Sequence, residues 1–444
     1  MNEHDSERIS GLLSKKGMQP VTDPLTADVI VVNTCCVREN ADNKLYGHLG
    51  HFKPGKEANK GQKIVIAGCL AQKEGQKIAQ TTPFVDVVVG THNLHRIPEL
   101  LELAENSATT VVEVIEAPDR EETHFSSDLP ASRKNSYSAW VTIQIGCNNS
   151  CGFCIVPAVR GPEVSRQMSE IIGEVQELAR SGVREITLLG QNVNSYGRDI
   201  NLADRKRGQI TTIKPLFSEL LKEVGSVEGI ERVRFTSPHP KDLRQETVDA
   251  MATTTSVCEQ LHLPLQSGSD RILSLMRRGY TTQKYLEKLN MARSQIDDLA
   301  VTTDIIVGYP SESDSDFNET LEFVAAANFD SAYTFVYSPR PNTVAAQQID
   351  QFVKESVVAE RMAKLRVVVE HSAVQRNKHR VGNKEEAMIL GDSKKDSSSL
   401  TGRTRQGKLV HFKKSIATSD LKPGDFINLK IIDYSTHCLF GESL

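Results

Sequence analysis

Gly146-Cys147-Asn148-Asn149-Ser150-Cys151-Gly152-Phe153-Cys154 places three thiols within eight residues, directly after the apolar, strand-like run Trp140 to Ile145. Three cysteines spaced Cys-x3-Cys-x2-Cys can hold three irons of a 4Fe-4S cube, a site normally completed by a fourth thiolate. Here one iron stays open. An open iron can chelate the amino and carboxylate groups of S-adenosylmethionine, and an electron from the cluster can then split the sulfonium bond to give a 5′-deoxyadenosyl radical. Two other readings stand beside this one: a zinc site, which wants a fourth Cys or His at its own spacing, and three unrelated buried thiols.

The chain around this loop has 444 residues, 39% of them hydrophobic, enough for two or three domains with buried cores. No apolar run approaches the ~20 residues that cross a bilayer. The start, Met1-Asn2-Glu3-His4-Asp5, is too polar and acidic for a signal peptide, so a cytoplasmic protein with no membrane partner is expected. Eight cysteines, several of them clustered, favour metal ligation in a reducing compartment over a disulfide framework. The net charge of -4 conceals an uneven distribution: from Arg361 to Lys414 there are 14 Lys and Arg against 5 Asp and Glu. That stretch can meet a polyanion.

Upstream of the loop, Ser6 to Leu13 reads as an amphipathic helix, and Asp28 to Val32, Lys63 to Ala67 and Val85 to Val89 read as buried strands. Continuous apolar strands alternating with helices indicate a parallel sheet covered on both faces. Cys35 and Cys69 sit at the ends of two of these strands, where ligands collect; either alone is equally a small core residue. Residues 116–137 turn polar and patternless and predict a linker between a first unit at 1–115 and a second that starts at 138.

Beyond it, strands are predicted at Glu185 to Leu189, Arg232 to Phe235, Glu259 to Leu263, Thr302 to Val307 and Ala332 to Val336, each followed by a helical pattern. With Trp140 to Ile145 they make six, which suits an open parallel α/β barrel with its active crevice at the strand C-terminal ends. Gln191, Asn192, Gln266, Ser267 and Gly308 fall in polar or glycine-containing turns at those ends and are candidates for cofactor contact. An amphipathic helix from Lys354 to about His379 packs outside and closes the unit near 375. Residues 376–444 carry strand signals at Glu386 to Leu390, Lys408 to Phe412 and Phe426 to Ile432, reading as a small β-barrel. Arg403, Arg405, Lys408, Lys413 and Lys414 on its polar faces are candidates for RNA contact, with a protein-binding barrel as the other reading.

These features resemble, over essentially the whole length, the methylthiotransferases of the radical S-adenosylmethionine superfamily, which usually carry a Phe where Phe153 stands. Within that family, Asn33-Thr34-Cys35-Cys36-Val37-Arg38-Glu39-Asn40-Ala41, Leu189-Gly190-Gln191-Asn192-Val193-Asn194-Ser195-Tyr196-Gly197 and Ser237-Pro238-His239-Pro240 are similar to the branch that methylthiolates N6-dimethylallyladenosine at position 37 of tRNA. Branches acting on threonylcarbamoyladenosine or on a ribosomal-protein aspartate usually differ at the second stretch. The resemblance implies an N-terminal methylthiotransferase domain, the radical barrel, and a C-terminal TRAM domain that binds tRNA. It also implies a monomer and an electron donor such as flavodoxin or ferredoxin, with the sulfur donor unspecified.

Two 4Fe-4S clusters and S-adenosylmethionine are implied as cofactors: Cys147, Cys151 and Cys154 hold the cluster that cleaves S-adenosylmethionine, and Cys35 and Cys69 hold an auxiliary, sulfur-handling one. In the family the second has a third thiolate, in a Gly-Cys-Gln-Met-Asn motif, and this sequence begins at Met1-Asn2. The expectation is a natural protein that extends upstream, with the first strand of the sheet; the other possibility is a tRNA-binding relative that cannot transfer sulfur. Cys36 is a possible substitute ligand. Ser311-Glu312 stands where the family often has Gly-Glu.

Overall fold

The computed structural model describes residues 1–35, 39–116, 124–207 and 212–444, with the backbone alone at 39–44, 204 and 417. Four parallel strands form the first sheet in the order β1 (Val29–Thr34), β2 (Lys63–Gly68), β3 (Val87–Val89) and β4 (Val111–Glu113). The three predicted strands are present; β4 is additional, and three residues are too few to show a period. Ile64, Val65, Ile66 and Ala67 are all fully buried, which is why β2 reads as a continuous apolar run. The helix Asn2–Lys15 lies over the sheet with Ile9 in its core. At Gly11 the described part of the linker crosses it so closely that a Cβ would run into the Pro130 carbonyl. Seven of the predicted linker residues, 117–123, lie outside the described residues, as does Cys36.

The central unit has six parallel strands: β5 (Ser138–Thr142), β6 (Glu185–Leu189), β7 (Arg232–Phe235), β8 (Gln260–His262), β9 (Ala300–Val307) and β10 (Ser331–Val336). They form two three-stranded sheets, β5-β6-β7 and β8-β9-β10, joined by a parallel bridge between Val233 and Val257. Helices cover the outside. Met168–Arg180 turns Ile171, Val175 and Leu178, spaced four and three residues apart, into the core. The helix Asp314–Ala327 starts from a reciprocal capping box of Ser313 and Asp316. The long helix Glu355–Lys378 packs outside through Val358 and Leu365.

The C-terminal unit is a closed five-stranded barrel, β11 (Lys384–Asp392), β12 (Ser399–Thr404), β13 (Leu409–Lys413), β14 (Phe426–Tyr434) and β15 (Cys438–Ser443), ordered β11-β12-β13-β15-β14. Two of its strands, β12 and β15, were not predicted. Each carries a glycine, at Gly402 and Gly441, which weakens a strand pattern. Their reason is packing: a Cβ would lie 3.0 Å from Ala387 Cβ at the first and 3.3 Å from Leu429 Cβ at the second.

Candidate functional site at the strand ends

The cysteine loop is braced from three sides. It leaves the central sheet at Gly146, whose φ of +74° suits glycine and where a Cβ would run into the Pro162 carbonyl. The Cys147 amide then donates to Gly161 O at 3.2 Å and the Gly152 amide to Met276 O at 2.9 Å, while Gly152 O accepts from the Ala345 amide at 2.9 Å. Phe153 sets its ring edge against Tyr309. All three thiols are half-buried. Burial pushes the Cys147 thiol up, and the Cys154 thiol up to about 11, so both are protonated in the bare chain and metal uptake displaces their protons.

Around these sulfurs the Asn149 amide donates to Cys147 at 3.5 Å, the Arg278 guanidinium to Cys151 at 3.3 Å, and the Val156 amide to Cys154. Among the described residues no three His, Cys, Asp or Glu side chains gather around one point to hold a single metal ion. Soft donors beside a buried cation fit an anionic iron-sulfur cluster.

Phe153 and Cys154 lie at the edge of a cavity of about 1010 Å³. His262, Gln266, Asp304, Tyr333 and Arg340 bring polar atoms to it, and Gln260 reaches it from the strand N-terminal side. His262 Nδ1 is 2.9 Å from Thr302 Oγ1, and its Nε2 is 3.3 Å from Asp304 Oδ2. On β9 the half-buried Thr302, Asp304 and Ile306 alternate with the buried Val301, Thr303, Ile305 and Val307. An aspartate at mid-strand was the signal for this face, and sequence reasoning passed over it.

Of the five strand-end candidates, Gln266 lines this cavity, at a φ of +73°. Gln191 donates to the Met1 sulfur. Asn192 is buried and donates to Asp242 at 2.9 Å, while its carbonyl accepts from Gln144. Ser267 turns to Thr320 at 3.3 Å, and Gly308 packs under Val358 and donates its amide to Glu312. The structure thus gives the last three bracing positions within the strand-end loops.

The second thiol pair sits on the N-terminal sheet. Thr34 pairs with Gly68, so Cys35 and Cys69 leave neighbouring parallel strands side by side. Arg160, six residues beyond Cys154, hydrogen-bonds Cys69 and donates to Asp5 Oδ2 at 2.7 Å. Asp5 is fully buried and held below the usual carboxylate range by Arg160 and by its neighbour His4, against the opposing push of burial. The thiol sets are therefore linked through one short helix, Val156–Arg160.

The candidate RNA-contacting cations divide into three that are engaged within the protein and two at the surface. Arg403 pairs with Glu185; Arg405 grips both oxygens of Glu259 at 2.8 Å and the carbonyls of Thr255 and Val257; Lys408 meets Asp330 and Asn377. These side chains fasten the small barrel to the central unit because their acidic partners lie on it. Arg232 and Arg234 reciprocate from β7, donating to the carbonyls of Arg403, Thr404, Arg405 and Glu386. Lys413 is 74% exposed and Lys414 39%; at the surface Lys413 meets Asp396 and Ser398, and Lys414 meets Asp392.

Residues 141–324 match the Radical SAM superfamily and residues 1–90 the Uncharacterized protein family UPF0004. Proteins described as tRNA-2-methylthio-N(6)-dimethylallyladenosine synthase are similar along the whole chain. That of Mycobacteroides abscessus is 47% identical over 446 residues, covering 100% of this chain and 86% of the relative. That of Nocardia farcinica is 46% identical with 100% and 87% covered. Among solved structures, the radical S-adenosylmethionine methyltransferase TsrM from Kitasatospora setae, with cobalamin and a [4Fe-4S] cluster bound, aligns with a TM-score of 0.56 at 13% identity. The alignment covers 77% of this chain and 74% of that one, and the likeness is one of fold.

Proposed function

Because the chain belongs to the tRNA-2-methylthio-N6-dimethylallyladenosine synthase family of radical S-adenosylmethionine enzymes, we propose that it replaces the hydrogen at carbon 2 of N6-dimethylallyladenosine in tRNA with a methylthio group. The chain is a transferase whose substrate carbon-hydrogen bond is inert to acid-base chemistry. A 4Fe-4S cluster with S-adenosylmethionine supplies the radical chemistry that such a bond requires. Cys147, Cys151 and Cys154 hold that cluster, and the strand-end cavity beside Cys154 receives the nucleoside parts. The wall of His262, Asp304, Gln266 and Tyr333 offers hydrogen-bond partners and a ring face to a base splayed out of the anticodon loop.

Cys35 and Cys69 supply two of the thiolates of the auxiliary cluster that handles sulfur. The observation that carries this assignment is their position: at adjoining strand ends, with Cys69 tied through Arg160 to the same segment that bears the first three cysteines. Placing both reactive centres around one base is the protein's principal task. The chain works as a cytoplasmic monomer, taking electrons from a small carrier such as flavodoxin or ferredoxin.

The test is anaerobic reconstitution with iron and sulfide, then reaction with reductant, S-adenosylmethionine and an anticodon stem-loop bearing N6-dimethylallyladenosine. The expected products are 5′-deoxyadenosine and the 2-methylthio nucleoside, both lost in Cys147→Ala. In Cys69→Ala, 5′-deoxyadenosine should persist while methylthiolation stops. Methylthiolation only of a threonylcarbamoyladenosine stem-loop would overturn the substrate assignment, and 5′-deoxyadenosine formation by Cys147→Ala would overturn the cluster assignment.

A further inference from the structure

Arg278 is 6% exposed and, among the described residues, forms no ion pair with a carboxylate. Its guanidinium donates to Cys151 Sγ at 3.3 Å, to the Tyr280 hydroxyl at 3.2 Å and to Pro264 O at 3.4 Å. None of those partners is a carboxylate. An unpaired cation buried this deeply is costly, and the backbone around it carries strain as well: Arg277 has a φ of +55°, with Gly279 at +71°. The same turn supplies Met276 O to the Gly152 amide. Two features of one turn, a backbone carbonyl and a buried guanidinium, therefore converge on the Cys151-Gly152 segment.

A buried charge aimed at a cysteine sulfur is explained by an anion that the sulfur helps to bind. A cube held by three thiolates is such an anion, and its negative charge grows by one when it accepts an electron. Hydrogen bonds to cluster sulfurs and nearby positive charge favour the more negative, reduced form.

We propose that Arg278 is a positioning residue for the radical-generating cluster: it fixes the Cys151 sulfur through an N–H···S hydrogen bond and provides the buried counter-charge that stabilises the one-electron-reduced state. The inference rests on the assignment of Cys147, Cys151 and Cys154 as cluster ligands. Arg278 acts through Cys151 and the field at the cluster.

The test uses the full chain in a Cys35→Ala/Cys69→Ala background, so that only the loop cluster is reconstituted. Arg278→Met and Arg278→Lys are compared with the parent by iron content, by dithionite titration followed with electron paramagnetic resonance, and by thermal melting of the metal-free proteins. In Arg278→Met the reduction equilibrium should fall at least tenfold, a shift of about 59 mV for a one-electron couple; Arg278→Lys, which keeps the charge, should recover part of it. The metal-free Arg278→Met protein should melt no lower than the parent, because removing an unpaired buried charge relieves the bare chain.

An unchanged potential in an iron-replete Arg278→Met protein would refute the proposal. So would a metal-free Arg278→Met protein that melts well below the parent, since that outcome makes Arg278 a structural hub for Tyr280 and Pro264. Failure of the parent to take up iron would instead refute the ligand assignment on which the inference rests.

Discussion

Arg405→Ala separates the fastening role of the C-terminal barrel's arginines from RNA contact. Arg405 makes two bonds of 2.8 Å to Glu259 and further bonds of 2.8 and 2.9 Å to the carbonyls of Thr255 and Val257. The paired side chains are 23% and 26% exposed, so water can partly rehydrate Glu259 after truncation, and a fully buried pair's penalty does not apply. Charge-assisted bonds contribute about 1.5–3 kcal/mol each when well formed. With rehydration and two carbonyls stripped of a donor, the net cost is about 2–3 kcal/mol. That is a roughly 30- to 150-fold rise in the undocked population. Hydrogen exchange of β12 and β13, at equal protein concentration and salt, should report it. The affinity for a tRNA anticodon stem-loop should keep its salt slope, whereas Lys413→Ala/Lys414→Ala should reduce the slope by about 1.4 for two lost single-strand phosphate contacts. An Arg405→Ala protein with unchanged exchange and a reduced salt slope would refute the assignment to the interface.

Three other outcomes are expected. His4 is buried between Arg8, Ser126 and Thr142, and burial lowers its pKa to about 3. Because the unfolded imidazole protonates near pH 6.5, its stabilising contribution is complete above that pH and is lost as pH falls toward 3, at up to about 1.4 kcal/mol per pH unit. His4→Gln should flatten the dependence of melting temperature on pH across that window, and an unaltered profile would exclude this origin. Gly308→Ala meets a φ of +79° and places a Cβ 2.6 Å from Val358 Cγ2, which should cost about 1–3 kcal/mol in urea denaturation. Val358→Ala should restore part of it, and an unrescued double variant would rule out the steric cause. Gly146→Ala should leave the metal-free fold recognisable by circular dichroism but cut iron uptake at the three-cysteine loop; full iron content would show that the loop's entry geometry is dispensable.

Strand by strand, the parallel sheets were legible where both faces are buried, so β2 stands out as an apolar run, while β9 shows itself by its buried Val301, Ile305 and Val307 alternating with half-buried positions. The small barrel was less so. Closing five strands around Ala387 and Leu429 requires glycine at 402 and 441, and glycine erases the local strand signal that the prediction depends on. The three-cysteine loop stood out because its thiols are neighbours in sequence. The fastening role of Arg403, Arg405 and Lys408 was not: their partners Glu185, Glu259 and Asp330 are far away along the chain, and composition shows a charge without showing what neutralises it. Arg232 and Arg234 held a clue, because charged residues alternating with Val233 and Phe235 on a buried strand require polar partners beyond the sheet.

The segment Gly146–Arg160 then takes on a meaning that its cysteine spacing alone does not carry. Its middle is tied to Met276 and Ala345 on two different parts of the central unit, and its last residue is tied to Asp5 and Cys69 on the N-terminal one. A displacement of the N-terminal unit against the central barrel would have to break the buried Arg160–Asp5 pair or drag the loop that holds Cys147, Cys151 and Cys154. Breaking such a pair is expensive, about 3–5 kcal/mol when one charge is left buried and alone. The spacing of the two thiol sets is thus enforced by this pair as well as by the packing of Ile155 and Val159 against Leu70 and Ile78 in one apolar cluster. Chemistry that must bring two reactive centres to one carbon has a physical reason for that arrangement: a loose hinge between them would forfeit the effective concentration that fixed geometry provides.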